Sequence, residues 1–244
     1  MPRLLISVRF HEGRYHGGGE WPPSPARLFQ ALVAGAANGE NLSEQAMESF
    51  KWLESLAPPT IATPPAYAGR SIKNFVPNND LDAVGGDPAR IGEIRTAKII
   101  RPHYFDAAVA LLYAWTFERG ADAERRVQAI REIANSLYQL GRGVDMAWAQ
   151  SEIVEEGEAE ARLCGHGGAV RRPNAGGGGP MLSCPHPRLA GELDKALCGD
   201  PRAVQDDGKG QGGQAIVLAG AEARLCADPL RQPPRLSPVR YQEV

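Results

Sequence analysis

The chain opens with a period-two run of apolar residues and passes directly into a period-3.6 run. Leu4-Leu5-Ile6-Ser7-Val8-Arg9-Phe10 alternates as a strand with one buried face does. Gly17-Gly18-Gly19 and the stiff Trp21-Pro22-Pro23 follow, and then Leu28, Phe29, Leu32 and Val33 recur at helical spacing. Ser24 is placed to cap that helix, and Pro25 suits the first helical position, where no N–H is needed. Asn38-Gly39 stops it. A second helix opens at Ser43, carries Met47, Phe50, Leu53 and Leu56 on one face, and ends at Pro58-Pro59. The β-prone run Thr60 to Tyr67 is broken by Pro64-Pro65, which predicts an edge strand at most. Val109, Leu111, Tyr113, Trp115 and Phe117 form the strongest alternating run. Helical spacing returns from Asp122 to Leu140 through Val127, Ile130, Ile133, Ala134 and Leu137. Gly141-Arg142-Gly143 terminates that helix, and Val144 to Val154 reads as a last strand.

The predicted order is therefore β, α, α, weak β, long loop, β, α, β. Without the extra helix it is βαββαβ, an α+β class of ferredoxin-like (RRM-like) plan. Residues 1–155 are assigned to this palm, with an inserted, thumb-like loop at about 68–102 that carries the turn signals Asn78-Asn79-Asp80 and Gly85-Gly86-Asp87. Residues 156–244 read as an irregular Gly/Pro-rich extension. It holds Gly165, Gly167-Gly168 and Gly176 to Gly179, one helix from Pro187 to Leu197, a polar stretch at 199–214, and a proline- and arginine-rich linker or tail at 228–238.

Composition bounds the rest. With 244 residues and 43% apolar content the chain is large enough for one sizeable domain or two small ones. Lys+Arg of 27 against Asp+Glu of 29 announces no polyanion partner by bulk charge. The distribution is uneven, however. Cations gather between residues 70 and 101, and Glu152, Glu155, Glu156, Glu158 and Glu160 form an acidic run. No signal-peptide pattern or membrane-length apolar run occurs, and the four cysteines are sparse, so a cytoplasmic location without membrane contact is expected.

Three stretches carry candidate chemistry. In Leu140-Gly141-Arg142-Gly143 a guanidinium and backbone N–H groups can approach phosphate oxygens, although the same glycines suit a helix C-cap. Between 68 and 105, Arg70, Lys73, Phe75, Arg95, Lys98, Arg101, His103, Tyr104 and Phe105 interleave cations with aromatics. That mixture suits the phosphates and unstacked bases of single-stranded RNA. The opening loop sets Arg14, Tyr15 and His16 beside Trp21. His11, His16 and His103 are available general bases, with Tyr15, Tyr104 and Lys98 as assistants, but nothing in the spacing ties them together. Cys164-Gly165-His166 and Cys184-Pro185-His186 repeat a Cys-x-His pair, a weak candidate for structural zinc because the usual spacing is Cys-x2-Cys. No cofactor is otherwise expected.

The run Leu4–Phe10, the segment Trp21-Pro22-Pro23-Ser24-Pro25-Ala26-Arg27-Leu28-Phe29-Gln30-Ala31-Leu32, Phe75-Val76-Pro77-Asn78-Asn79-Asp80 and Leu140-Gly141-Arg142-Gly143 together resemble the type I-G (formerly I-U) CRISPR-associated fusion subunit of the RAMP superfamily. Its first half is a Cas-five-type module and its second a Cas-six-type repeat endonuclease; the likeness covers about residues 1–155. It implies a palm with a thumb that binds the 5′ handle of CRISPR RNA (crRNA) and caps the backbone filament of a Cascade effector in antiviral defence, without catalysis. The implied partners are the crRNA, the backbone subunit, the large subunit and, in the assembled complex, target DNA. The implied RNA-binding set is Arg14, His16, Trp21, Arg27, Arg70, Lys73, Asn74, Phe75, Arg95, Lys98, Arg101, His103, Gly141, Arg142 and Gly143. The chain ends at Val244, where the fusion family would continue into its nuclease half, so repeat cleavage is not carried over. The alternative is a metal-independent endoribonuclease using His16, Lys98, His103 and Tyr104.

Overall fold

Strand β1, Arg3–Phe10, lies inside a seven-stranded sheet because both of its backbone edges find partners. The structure, a computed structural model, describes residues 1–17, 20–37, 42–77, 87–175, 179–197 and 236–244. Gly18-Gly19, Asn38-Gly39, Asn78-Asn79-Asp80, Gly85-Gly86, Gly176 to Gly178, and the stretches 199–214 and 228–235 therefore lie outside the described residues. β1 pairs antiparallel with β8, Leu111–Thr116, and with β9, Ala147–Val154; β8 pairs in turn with β3, Thr60–Thr63. Alternation then sorts the side chains. Leu4, Ile6, Val8 and Phe10 enter the main core under helices α1 (Pro25–Ala37), α2 (Glu44–Ser55) and α3 (Ala121–Ala134). Leu5 faces the other way, into a smaller cluster with Val154 and with Ala159 and Leu163 of α4, Glu156–Cys164.

The helix signals act as expected. The Ser24 hydroxyl accepts from the Arg27 N–H at 3.3 Å, and that of Ser43 from the Ala46 N–H at 3.2 Å. A cap contributes about 1 kcal/mol, whereas burying one Leu or Phe contributes about 1.5–3 kcal/mol. The buried face of Leu28, Phe29, Leu32 and Val33 therefore outweighs the cap in holding α1 in place. α1 runs past Gly35 to Ala37. The run read as helix to Leu140 leaves the helix at Ala134, yet Leu137 and Leu140 remain buried as turn residues.

Three sequence expectations change. Thr60–Thr63 is an interior strand, flanked by β8 and by β10 (Ala169–Pro173), and not an edge. Pro64-Pro65 falls after its last paired residue, so no ladder hydrogen bond is lost. The 68–102 loop is mostly a hairpin arm. β5, Ile72–Pro77, pairs with β6, Arg95–Ile100, and a 3-10 helix, Pro88–Ile94, leads into β6. A small three-stranded sheet links this arm to the opening loop: β2 (Arg14–Tyr15), β7 (His103–Phe105) and β4 (Ala66–Ala68). Last, the segment from 156 onward is not an irregular extension where it is described. β10, β11 (Met181–Pro185) and β12 (Leu236–Glu243) extend the main sheet in the order β11-β12-β10-β3-β8-β1-β9. Helix α5, Leu189–Leu197, places Leu189, Ala190 and Leu193 in the main core, and Tyr241, near the end of the predicted extension, is fully buried. The glycines there serve close approach as well as turning: a Cβ on Gly168 would lie 2.0 Å from the Thr63 carbonyl oxygen. No helix among the described residues is long and apolar enough to cross a membrane.

Candidate functional site

Three neighbouring parts hold the predicted residues: a loop junction, the small sheet, and the arm. The junction forms because Asp145, whose side chain is fully buried, closes the glycine loop after α3 onto the opening loop. Its carboxyl oxygens accept from the Arg142 N–H at 2.7 Å and from the His16 N–H at 3.0 and 3.1 Å, and Oδ1 lies 2.7 Å from His16 Nδ1. Gly141 has φ +123°, and a Cβ there would meet Asp145 Oδ2 at 2.4 Å and Tyr15 Cε2 at 2.8 Å. Only glycine fits the left-handed geometry and the close approach together. Gly141-Arg142-Gly143 lies beyond the end of α3 at Ala134, so it is not that helix's cap, and its backbone is fixed by Asp145. The Arg142 guanidinium itself has no hydrogen bond or ion pair among the described residues.

Next to the junction, Tyr15 is buried and donates its hydroxyl to Glu20 Oε1 at 2.9 Å, and Arg27 Nε donates to the same oxygen. Burial first, and then the Glu20 charge, push the Tyr15 phenol well above its ordinary range, so it acts as a neutral donor. The segment before α1 is tied down as well: buried Tyr113 of β8 donates its hydroxyl to the Pro23 carbonyl at 2.7 Å. Trp21 is accordingly a packed residue. Its ring lies 4.9 Å from Phe105, 6.2 Å from Tyr15, and 5.5 Å from His103 in a stacked arrangement. Burial, and then the Arg101 charge, lower the His103 pKa, so its imidazole is neutral at pH 7 and offers a flat ring rather than a charge.

The arm is different in kind. Arg70, Lys73, Asn74, Phe75, Arg95 and Lys98 are exposed. Among the described residues Arg70, Arg95 and Lys98 have no ion-pair partner, and Lys73 has only the Phe75 ring, 5.2 Å below its Nζ. Phe75 is 60% exposed and Ile99 68%. The pairing Lys73↔Ile99, Phe75↔Ala97 and Pro77↔Arg95 puts Lys73, Phe75, Arg95 and Ile99 on one face of the hairpin, with Asn74 and Lys98 on the other. At its base Arg101 Nε donates to the Gly69 carbonyl at 3.3 Å.

Around the opening strand and α4 the cations are mostly paired. Arg14 pairs with Glu12, Arg162 with Glu152 and Glu158, and Arg119 with Glu155. Arg172 pairs with Glu160 at 2.6 Å, and Arg3 reaches the same carboxylate at 2.6 Å. The acidic run is thus neutralised within the fold. Arg172, and then Arg3 against the counteracting effect of burial, hold the Glu160 carboxyl down at about 2.

The structure does not gather the zinc candidates. Cys164 is exposed on α4, while Cys184 is buried with Sγ 3.6 Å from the Tyr241 hydroxyl. His166 Nε2 lies 2.6 Å from the Ala110 carbonyl oxygen, and His186 Nδ1 2.6 Å from that of Pro187. No cluster of three or more His, Cys, Asp or Glu suited to a metal occurs among the described residues. Nor are His16, Lys98, His103 and Tyr104 drawn together. His103 and Tyr104 are successive strand residues pointing to opposite faces, and Lys98 lies on the arm. Sequence reasoning missed Asp145, Glu20 and Tyr67. The alternation of charge and glycine in Gly141-Arg142-Gly143-Val144-Asp145 was the available signal for the first of them.

No curated protein matches the chain. A solved structure described as a CRISPR protein from Archaeoglobus fulgidus aligns at 12% identity with a TM-score of 0.35, over 75% of this chain. The alignment spans 66% of that protein, just under two thirds of its length. Residues 3–190, more than half of the chain, match the sequence family described as CRISPR-associated protein, GSU0054 family. The chain therefore belongs to the GSU0054 family of CRISPR-associated proteins, and its role is in CRISPR defence.

Proposed function

We propose that this chain is the Cas-five-type half of the type I-G Cas-five/Cas-six fusion subunit, a non-catalytic RAMP component of a Cascade effector. In this reading it binds the 5′ handle of crRNA and caps the backbone filament, next to the backbone and large subunits and, in the assembled complex, target DNA. The observation that carries the reading is the arm: exposed cations that have no carboxylate partner among the described residues, interleaved with an exposed aromatic ring. The order β9-β1-β8-β3, all antiparallel with crossover helices on one face, supports the ferredoxin-like palm, and the hairpin corresponds to its thumb. A net charge of −2 is compatible because the acids are paired elsewhere, and a short handle presents few phosphates. Incubation with labelled repeat RNA in the absence of metal tests this. Salt-sensitive binding without cleavage is expected, and site-specific cleavage would overturn it.

A second reading, metal-independent endoribonuclease, rests on one observation. A buried carboxyl orients His16 through Nδ1, as a general base is oriented in many active sites. Loss of cleavage in His16→Ala would support it; intact repeat RNA after prolonged incubation with the wild-type chain would sink it.

A further inference from the structure

We propose that Tyr67 and Tyr104 form a stacking platform for one unpaired nucleobase of single-stranded RNA, with Arg14 at its end to hold a phosphate. This rests on the RNA-binding reading above and goes beyond it by naming Tyr67 and Tyr104, which that set does not include, and by giving Arg14 a defined place beside them. The small sheet sets them in a row. Tyr67 is registered opposite Tyr104, and Tyr104 opposite Arg14, so all three side chains share one face of β4-β7-β2. Tyr15, His103 and Ala68 form the next row, on the opposite face, where Tyr15 is buried and His103 stacks on Trp21. The inner face therefore builds the core, while the outer face presents two aromatic rings and a cation.

The ring geometry is that of a platform. The Tyr67 and Tyr104 centroids are 5.4 Å apart with planes inclined by 26°, so they are stacked. Tyr67 is 67% exposed, and its hydroxyl has no hydrogen bond among the described residues. A large ring that packs on one side against a second ring and meets water on the other leaves apolar surface that a base would cover. Because every base has a π-face, such a platform tolerates any sequence. Across three strands the row from Arg14 to Tyr67 spans about 10 Å, two strand spacings, which is the scale separating a base from a neighbouring phosphate. Arg14 is held by Glu12 in an exposed pair, which contributes little and exchanges readily for a phosphate. Arg70 lies three residues beyond Tyr67 and opens the path to the arm.

The test is an affinity titration of the full chain with a labelled RNA carrying the cognate 5′ handle, together with a series of the same RNA bearing a single abasic nucleotide at each position. Tyr67→Ala is expected to weaken binding of the intact RNA by about 5- to 150-fold, and Tyr67→Phe to leave it unchanged. One abasic position should weaken wild-type binding by a similar factor and have no further effect in Tyr67→Ala. Wild-type affinity in Tyr67→Ala, or a loss that is the same at every abasic position, would overturn the platform and leave RNA binding standing. Failure of the wild-type chain to bind the intact RNA would overturn both.

Discussion

The hairpin arm and the loop junction at Asp145 use the same residue types to opposite ends. At the junction one buried carboxyl collects two backbone N–H groups and the His16 ring, so the carboxyl and the groups that hold it are mutually satisfied. On the arm Arg70, Arg95 and Lys98 have none among the described residues, and Phe75 and Ile99 are exposed. A satisfied cluster stabilises the fold and is costly to disturb, because removing one member strands the others. An unsatisfied exposed cluster does little for the fold and is free to meet a ligand. The surroundings of α4 side with the junction: Arg3, Arg162 and Arg172 are all paired there. Cations still available to a phosphate-bearing partner are therefore a better guide to the site than cation density.

That contrast can be broken at three points. The largest effect on stability is expected at Asp145. Asp145→Ala leaves the part-buried N–H groups of His16 and Arg142 without their acceptor, at about 1–3 kcal/mol each, and should lower the unfolding free energy in a urea titration by about 3 kcal/mol. A loss below about 1 kcal/mol would show that the junction is not the structural lock it is taken to be. A smaller effect is expected at Glu160. Its carboxyl is held near 2 in the folded state, below the ordinary unfolded value of about 4.3, so its contribution is complete above that value and is lost as pH falls toward 2. Glu160→Gln should lower stability at pH 7 by no more than about 1 kcal/mol, because the pair is partly exposed, and the gap to wild type should close on acid titration. A gap that widens below pH 4 would contradict the sign. The arm should show the smallest change: Ala at Arg70, Lys73, Arg95 or Lys98, taken singly, moves the unfolding free energy by about 0.5 kcal/mol or less. Each should nevertheless flatten the slope of log affinity for handle RNA against log salt by about 0.7 if it contacts a phosphate. Unchanged slopes in all four variants would remove the distinction between the two regions.

Much of the framework was legible because it rests on local rules. The caps Ser24 and Ser43, the buried face of α1, and the alternation of Leu4 to Phe10 and of Leu111 to Trp115 all depend on residues within one element. The β-hairpin character of 72–100 was not legible. Its charged, glycine-interrupted sequence resembles a loop, and strand pairing between Lys73 and Ile99 is set by contact across 26 positions (99 − 73). The extension beyond 155 misled for a related reason. Glycine and proline density signals irregularity locally, yet Leu236–Glu243 is placed between β10 and β11 by long-range ladders, with Tyr241 buried as its anchor.

By itself the sequence determined which segments are amphipathic, where helices begin, and that cations and aromatics are interleaved between residues 70 and 105. Those are matters of spacing and side-chain chemistry. Only the tertiary structure decided which of those groups are already satisfied. It turned Trp21 and His103 inward as packed rings, tied Arg27 to Glu20, and gave the glycine loop a buried acid from four positions beyond Gly141. The reason is physical. Whether a charge is available to a ligand depends on the partners within hydrogen-bond distance, and folding brings those partners in from distant parts of the chain.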